Sequence, residues 1–320
     1  MADDQLSEVF SLVEVRGVLT GVVAARGAWV SQAPITHPLK FFTLLTGRAR
    51  LSTEGLDGPL ELEAGDVGIL NNRGWVELRG GPEELDPRAV AVEPDTPPAW
   101  PLRSEQDVDD VFVGARIDLN PAGEALLLQA LPPVAHVRAS HPGASGLRAT
   151  VGHLFDELTG ARLGSAFAIQ QHAQLLLLEV LRAYLEQSDA PAGWLRLLAD
   201  ERLRPAVALM HADPGRSWGL EELARAAAMS RASFADRFRK VAGMPPLTYL
   251  SRWRMMLAQR ALSDGDVRLG PLAVTLGYGS ESAFSNAFKR ELGMAPSHYR
   301  RQARRSQRHE DSTPTQTLAV

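Results

Sequence analysis

The side chains with chemistry to offer stand in two registers fifty residues apart. SRASFADRFRK at 230–240 and SESAFSNAFKR at 280–290 each open on a serine, set phenylalanines at 234 and 238 or 284 and 288, and end on paired cations. If each stretch is helical, the 100° step per residue puts Phe234, Phe238 and Val241 on one face. It turns Ala232, Ser233, Asp236, Arg239 and Lys240 outward, and in the second copy Ser282, Ala283, Asn286, Lys289 and Arg290. Short side chains in the first turns can enter a major groove, while cations further along reach phosphates. Asn286 could take adenine, Asp236 could accept from cytosine N4, and the alanines could touch thymine methyls. Ser230 and Ser280 can cap these helices, leaving N–H groups and the positive dipole end for a phosphate.

Signals for catalysis are sparse. The chain has no P-loop, no G-x-S-x-G and no H-E-x-x-H, and its lack of cysteine excludes a thiol nucleophile, disulfides and thiolate zinc sites. His136 and His141, flanking VRAS on a stretch that reads as a loop, are taken as solvated. The formal net charge of -4 conceals an asymmetry: residues 201–309 hold 19 Lys and Arg against 9 Asp and Glu, leaving 15 against 29 for the rest. That split suggests a basic module meeting a polyanion and an acidic module with another task. MADDQLSEVF has neither the basic region nor the apolar core of a leader, and AQLLLLEVLRAYL is too short to span a bilayer, so a cytoplasmic, non-membrane protein is expected.

The outward-facing residues need a frame. Upstream of Ser230, WGLEELARAAAM places Leu220, Leu223, Ala224 and Ala227 on one helical face, with Gly219 at the N-cap. RLGPLAVTLGYG repeats the pattern through Leu272, Ala273 and Leu276 at an offset of forty-nine, so the second turn carries one extra residue. Each copy therefore reads as helix, short turn, helix. Ser230/Ser280, Phe234/Phe284, Phe238/Phe288, Gly243/Gly293, Met244/Met294, Pro246/Pro296 and Tyr249/Tyr299 are identical at an offset of fifty. Between the copies, PPLTYLSRWRMMLAQRALSDGD reads as one helix with Pro246 in its first turn and Gly265 past its end. From Pro246 to Leu262 it would run about 25 Å, which could put the two copies into successive major grooves, about 34 Å apart, with some bending of the duplex.

Upstream the pattern differs. LTGVVAARGAWV, FFTLLTGRARLSTE, PLELEAGDVGIL, GWVELRGG, AVAVE and DVFVGARIDL read as short strands between residues 18 and 119, which suggests a sandwich or small barrel. GLRATVGHLFDEL and SAFAIQQHAQLLLLEVLRAYLEQ then take helical spacing, SDAPAG at 188–193 reads as a linker, and the tail after Arg301 has little to bury and reads as disordered.

Residues 200–301 resemble the two-motif DNA-binding domain of the AraC/XylS family of bacterial transcription regulators. The resemblance rests on WGLEELARAAAMSRASFADRFRKVAGMPPLTYLSRWRMMLAQRAL and LAVTLGYGSESAFSNAFKRELGMAPSHYRR. It implies that Arg231, Ala232, Ala235, Asp236 and Arg239, with Glu281, Ser282, Ala283, Asn286 and Lys289, face the groove. Double-stranded promoter DNA and RNA polymerase are the implied partners. Because Ala232, Ala235 and Asp236 donate no hydrogen bond to a base, the first motif is expected to read fewer bases directly. Arg237 and Arg252 are as readily surface residues as phosphate contacts, and Lys240, Arg290 and the Arg300 to Arg305 cluster are candidate phosphate partners.

LELEAGDVGILNNRGWVEL resembles cupin barrels, and residues 6–120 are similar to the cupin-like domain that one AraC branch carries ahead of its DNA-binding half. Cupin enzymes hold a metal with a His-x-His pair, a Glu and a later His; here His37 stands alone, so a domain with no metal, cofactor or catalysis is expected. Trp29, His37, Phe41 and Trp75 are candidates for an effector pocket, with Phe42 and Trp100 as further aromatics, or else they are plain core. Leucines 175, 176, 177, 178, 181 and 185 give one helix a wide apolar surface, which either covers the barrel or offers a seam to a second copy; the resemblance implies a homodimer. The expected architecture is multidomain α and β. Residues 1–187 form a cupin-like β-barrel (6–120) with following helices (146–187), 188–199 a linker, 200–301 an all-α domain with two helix-turn-helix motifs, and 302–320 a disordered tail. The expected function is sequence-specific transcription regulation under control of the N-terminal domain. Two alternatives stay open: a ligand-independent regulator whose barrel only dimerises, and a cupin enzyme with a DNA-binding tail.

Overall fold

The computed structural model describes residues 5–82, 84–90, 109–141, 144–160, 162–187, 192–265 and 267–312. Trp100, the first four linker residues (188–191) and the last eight of the chain lie outside them. The chain divides into two compact units, Val13–Pro191 and a second of Ala192–Val320 with Met1–Leu12. Among the described residues no helix is long and apolar enough to cross a membrane.

The described residues of the first unit hold ten strands: β1 (Val15–Ala25), β2 (Trp29–Pro34), β3 (Leu39–Thr46), β4 (Arg48–Ser52), β5 (Leu60–Glu63), β6 (Val67–Asn71), β7 (Trp75–Gly80), β8 (Arg88–Ala89), β9 (Asp110–Leu119) and β10 (Val134–Val137). They form two five-stranded sheets, ordered β1-β9-β3-β6-β10 and β5-β4-β7-β2-β8. The period of two along a strand decides what each sheet buries. In β3, Phe42 and Leu44 point between the sheets and join Trp29, Leu51, Leu62, Leu70, Leu78 and Phe112 in one core. Trp29 stacks on Phe112 at 5.1 Å and 13°, and its indole N–H donates to Asp110 Oδ2 at 2.7 Å. The other Asp110 oxygen accepts from the Arg48 backbone at 3.0 Å, so this buried carboxylate has partners on both sides.

β6, VGILN, is buried at all five positions, the mark of a strand covered on both faces. Its second cover comes from α3 (Ser145–Gly160) and α4 (Ser165–Gln187). Between β9 and β10 lies α2 (Pro121–Ala130); Asn120 at its N-cap accepts from Gly123 N–H at 3.1 Å and from Glu14 N–H at 3.0 Å. His136, expected on a loop, sits in β10, where its ring Nε2 lies 2.8 Å from the buried carboxylate of Asp66. Two backbone N–H groups, of Ala139 and Glu63, also donate to Asp66. Although burial opposes it, the sum of these bonds holds the Asp66 pKa below the usual aspartate value.

The second unit is helical: α5 (Trp194–Ala199), α6 (Arg204–Ala212), α7 (Leu220–Ala226), α8 (Arg231–Ala242), α9 (Pro246–Asp264), α10 (Leu269–Thr275), α11 (Glu281–Leu292) and α12 (Pro296–Ser312). Three expected boundaries are corrected. The linker does not run to 199, because Trp194, Leu195, Leu197 and Leu198 are buried on α5. Residues 302–312 are not a disordered tail but continue α12, anchored by buried Ala303 four residues after buried Tyr299. The first twelve residues cluster with this unit rather than with the β-rich one. α1 (Gln5–Phe10) is held through Gln5 Nε2 donating to the Arg204 carbonyl at 2.8 Å and Arg260 donating to Ser11 Oγ at 3.1 Å.

The two turns differ in one instructive residue. Met229 N–H donates to Ala224 O at 2.9 Å and Tyr278 N–H to Ala273 O at 2.8 Å, the same cap at an offset of forty-nine. Gly277 sits there at φ 79°, but its counterpart Ala228 takes φ 51° with a Cβ, a conformation that costs an L-residue about 1–2 kcal/mol. Ala228→Gly should therefore raise the stability of this unit by about 0.5–1 kcal/mol, net of the backbone entropy that glycine loses. Urea unfolding of the two proteins checks it; a variant less stable than wild type would contradict the strain.

Candidate nucleic-acid interface

α8 and α11 are built alike from end to end. Each is 12 residues long. Ser230 Oγ accepts from Ser233 N–H at 3.2 Å and Ser280 Oγ from Ala283 N–H at 3.1 Å, the N-caps expected from the sequence. Both end on a left-handed glycine, Gly243 at φ 72° and Gly293 at φ 74°, whose N–H returns to the carbonyl of Arg239 or Lys289 at 2.9 Å. Their buried sides carry matching aromatic chains. Phe234 meets Phe238 at 5.7 Å and Phe238 meets Tyr249 at 5.7 Å; Phe284 meets Phe288 at 5.8 Å and Phe288 meets Tyr299 at 5.6 Å.

With the aromatics turned in, the other face is left to solvent. Ser230, Arg231, Ala232, Asp236, Arg239 and Lys240 are exposed and Ala235 half-buried; Ser280, Glu281, Ser282, Ala283, Asn286, Lys289 and Arg290 are exposed. On each helix the small or short polar side chains lie in the first two turns and the paired cations in the last.

Other arginines are committed to the scaffold. Arg237 pairs with Asp200 Oδ2 at 2.7 Å, while Asp200 Oδ1 accepts from the backbones of Arg202 and Leu203, so the cation ties α8 to the α5–α6 turn. Arg252 on α9 lies 2.9 Å from Glu291 on α11. Arg300, expected among the phosphate cations, donates to the Val267 carbonyl. Arg254 donates to the carbonyls of Pro214 at 2.5 Å and Arg216 at 2.9 Å, with its guanidinium 5.8 Å from the Tyr278 ring. Its neighbours explain a second fastening between the copies: a Cβ on Gly277 would fall 2.2 Å from the Gly215 carbonyl oxygen, and one on Gly215 2.4 Å from that of Thr275. The two helix-turn-helix motifs are thus joined by α9 and also by backbone packing of the 213–216 loop on the second turn. Sequence reading missed these groups; two glycines sixty-two residues apart carry no local signal.

The four candidate pocket residues do not meet. Trp29 is closed in the inter-sheet core, 1% exposed. Phe41, one strand position from Phe42, points to the opposite face of its sheet and lines a cleft under α3 and α4. Trp75 is 38% exposed at the end of β7, and exposed His37 places Nε2 2.6 Å from Arg116 Nη1. Among the described residues no three His, Asp or Glu side chains come together as a metal site.

A cupin family profile matches residues 4–186, and a helix-turn-helix domain profile matches residues 223–302. An AraC-like transcription regulator of Streptomyces lividans is 36% identical over 301 residues, 93% of this chain and 98% of that one. A second, from Streptomyces antibioticus, is 37% identical over 306 residues, again 93% and 98%. Among solved structures, the DNA-binding domain of AdpA, a global transcriptional factor, in complex with a target DNA is 33% identical. It covers 34% of this chain and 98% of its own, with a TM-score of 0.32.

Proposed function

The chain belongs to the AraC-type transcription regulators, and from that premise we propose how its parts divide the work. It is a DNA-binding regulator with an N-terminal cupin domain. The observation that carries the finer reading is the equivalence of α8 and α11: same length, same caps, same buried aromatics, same exposed order of short residues and cations. In this reading Arg231, Ala232, Ala235, Asp236 and Arg239 enter one major groove and Glu281, Ser282, Ala283, Asn286 and Lys289 the next. Ser230, Lys240, Ser280 and Arg290 meet phosphates. A promoter in the cytoplasm is the partner, with RNA polymerase recruited or excluded there, and the relatives being regulators supports a cupin domain that does not catalyse.

Gel shifts of the full chain on its own upstream DNA, with non-specific competitor, test this reading. With Lys240 and Arg290 on phosphates, log K should fall against log salt with a slope of about -1.8 or steeper. Asn286→Ala with Arg239→Ala should cost about 2–5 kcal/mol of specific binding. Equal, salt-sensitive smearing by both proteins would refute recognition through these helices.

One observation also favours a second copy as partner. α4 exposes Phe167 (69%) and Leu175 (49%) eight residues apart on one stripe, an arrangement suited to a helix seam. Phe167→Ser with Leu175→Ser should turn a dimer into a monomer in sedimentation velocity; an unchanged sedimentation coefficient would place the seam elsewhere.

A further inference from the structure

We propose that the cleft between the outer face of the β1-β9-β3-β6-β10 sheet and helices α3 and α4 binds a small uncharged molecule. Its ligand would have an alkyl or aryl body and a single hydroxyl or carbonyl group. The inference rests on the effector-binding reading only for what such a ligand does to DNA binding; occupancy follows from the cleft itself. Phe41 and Thr43 of β3, Val67 of β6 and Val113 of β9 form the floor, and Leu154 of α3 and Leu176 of α4 lie across from them. The cleft measures about 400 Å³ with its open mouth included; its interior as it stands has room for roughly one or two waters, so a ligand must widen it.

Two features set the ligand class. Among the described residues no charged or imidazole side chain lines the cleft, so a carboxylate or ammonium would enter without a counter-charge, which is strongly unfavourable. Yet the lining is not wholly apolar: Thr43 Oγ1 is buried and has no hydrogen-bond partner among the described residues. Buried hydroxyls in folded proteins nearly always have one. Water is a poor candidate, because a buried water makes about three hydrogen bonds and, among the described lining residues, Thr43 supplies the one polar side chain. A ligand oxygen completes the hydroxyl while its apolar body packs on Phe41, Val113 and Leu176. Leu45 and Phe155 are half-buried on the same lining, so the opening can widen there; on the other side of the sheet, the packed core around Phe42 and Leu44 cannot yield.

Calorimetric titration of the full chain without DNA tests occupancy, with benzyl alcohol, toluene and benzoate as probes and with Thr43→Val and Ala115→Leu as variants. Wild type should bind benzyl alcohol saturably, about fivefold to tenfold tighter than toluene, and should not bind benzoate. In Thr43→Val that preference should vanish, while the unliganded variant melts no lower than wild type because it sheds an orphan hydroxyl. Ala115→Leu, which adds carbon to the cleft wall, should lose both ligands. The proposal is overturned if no probe saturates, if benzoate binds as well as the alcohol, or if Thr43→Val keeps the full preference for alcohol. Gel shifts with and without benzyl alcohol read the regulatory role separately: binding with no effect on DNA keeps the site and removes only its link to the promoter.

Discussion

Phe284→Ala should destabilise the helical unit by about 3–5 kcal/mol and abolish specific DNA binding with it. The ring is fully buried and stands at the centre of the second motif, 5.6 Å from Tyr278 in the turn and 5.8 Å from Phe288 on its own helix. Phe288 in turn meets Tyr299 of α12. Removing the ring leaves a cavity where three elements converge, and Met255, Leu272 and Leu276, which share the cluster, cannot all close in on it. Domains have about 5–15 kcal/mol of total stability, so the loss takes a large share. Scanning calorimetry of the full chain checks it, since the β-rich unit serves as an internal standard and need not unfold with the helical one. Phe284→Leu, which keeps most of the volume, should lose far less. Two unfolding transitions unmoved by Phe284→Ala would mean that the aromatic chain does not hold the motif.

That both motifs were legible and other elements were not has a physical reason. Phe234, Phe238, Gly243, Pro246 and Tyr249 act locally: stripe, cap and helix start lie within twenty residues, and each recurs fifty residues on. The family resemblance rests on the same residues. α1 had no such signal. QLSEVF is six residues long, and the carbonyl that receives Gln5 is 199 residues away. Composition misled at the C-terminus, where Arg301, Arg304 and Arg305 suggest solvation while Tyr299 and Ala303 continue one buried stripe of α12. The pocket quartet failed for a different reason. Strand periodicity says that Phe41 and Phe42 face opposite ways, but which of them meets Trp29 is set by pairing such as Phe42↔Gly114 and Leu44↔Phe112, which depends on turns and partners far along the chain. The orphan hydroxyl of Thr43 was invisible for the same reason.

Between pH 6.5 and 4 the helical unit should lose up to about 3 kcal/mol of stability through His211 alone. The imidazole is buried, stacked on Trp253 at 4.0 Å and 10°, with Nδ1 3.0 Å from Glu8 Oε2 and Nε2 2.8 Å from the Tyr249 hydroxyl. A neutral ring suits both neighbours: Nδ1–H donates to the carboxylate, and Nε2 accepts from Tyr249, whose own pKa is raised by burial and by the charge of Glu8. Burial lowers the His211 pKa to about 4. The Glu8 carboxylate pulls the other way, but its side chain is 40% exposed and water weakens its hold. Unfolded, the ring has a pKa of about 6.5, so between these values the unfolded chain binds the extra proton. Stability from this group is therefore complete above pH 6.5, falls as the pH drops toward 4 and levels off below it. His211→Phe keeps the stack on Trp253 and cannot titrate. It should start from a lower plateau at pH 7, with Tyr249 and Glu8 deprived of a partner, and show a flatter profile down to pH 4 in urea unfolding. Parallel profiles for the two proteins would mean that His211 keeps its proton in the fold and that Glu8, on the short N-terminal helix, outweighs burial.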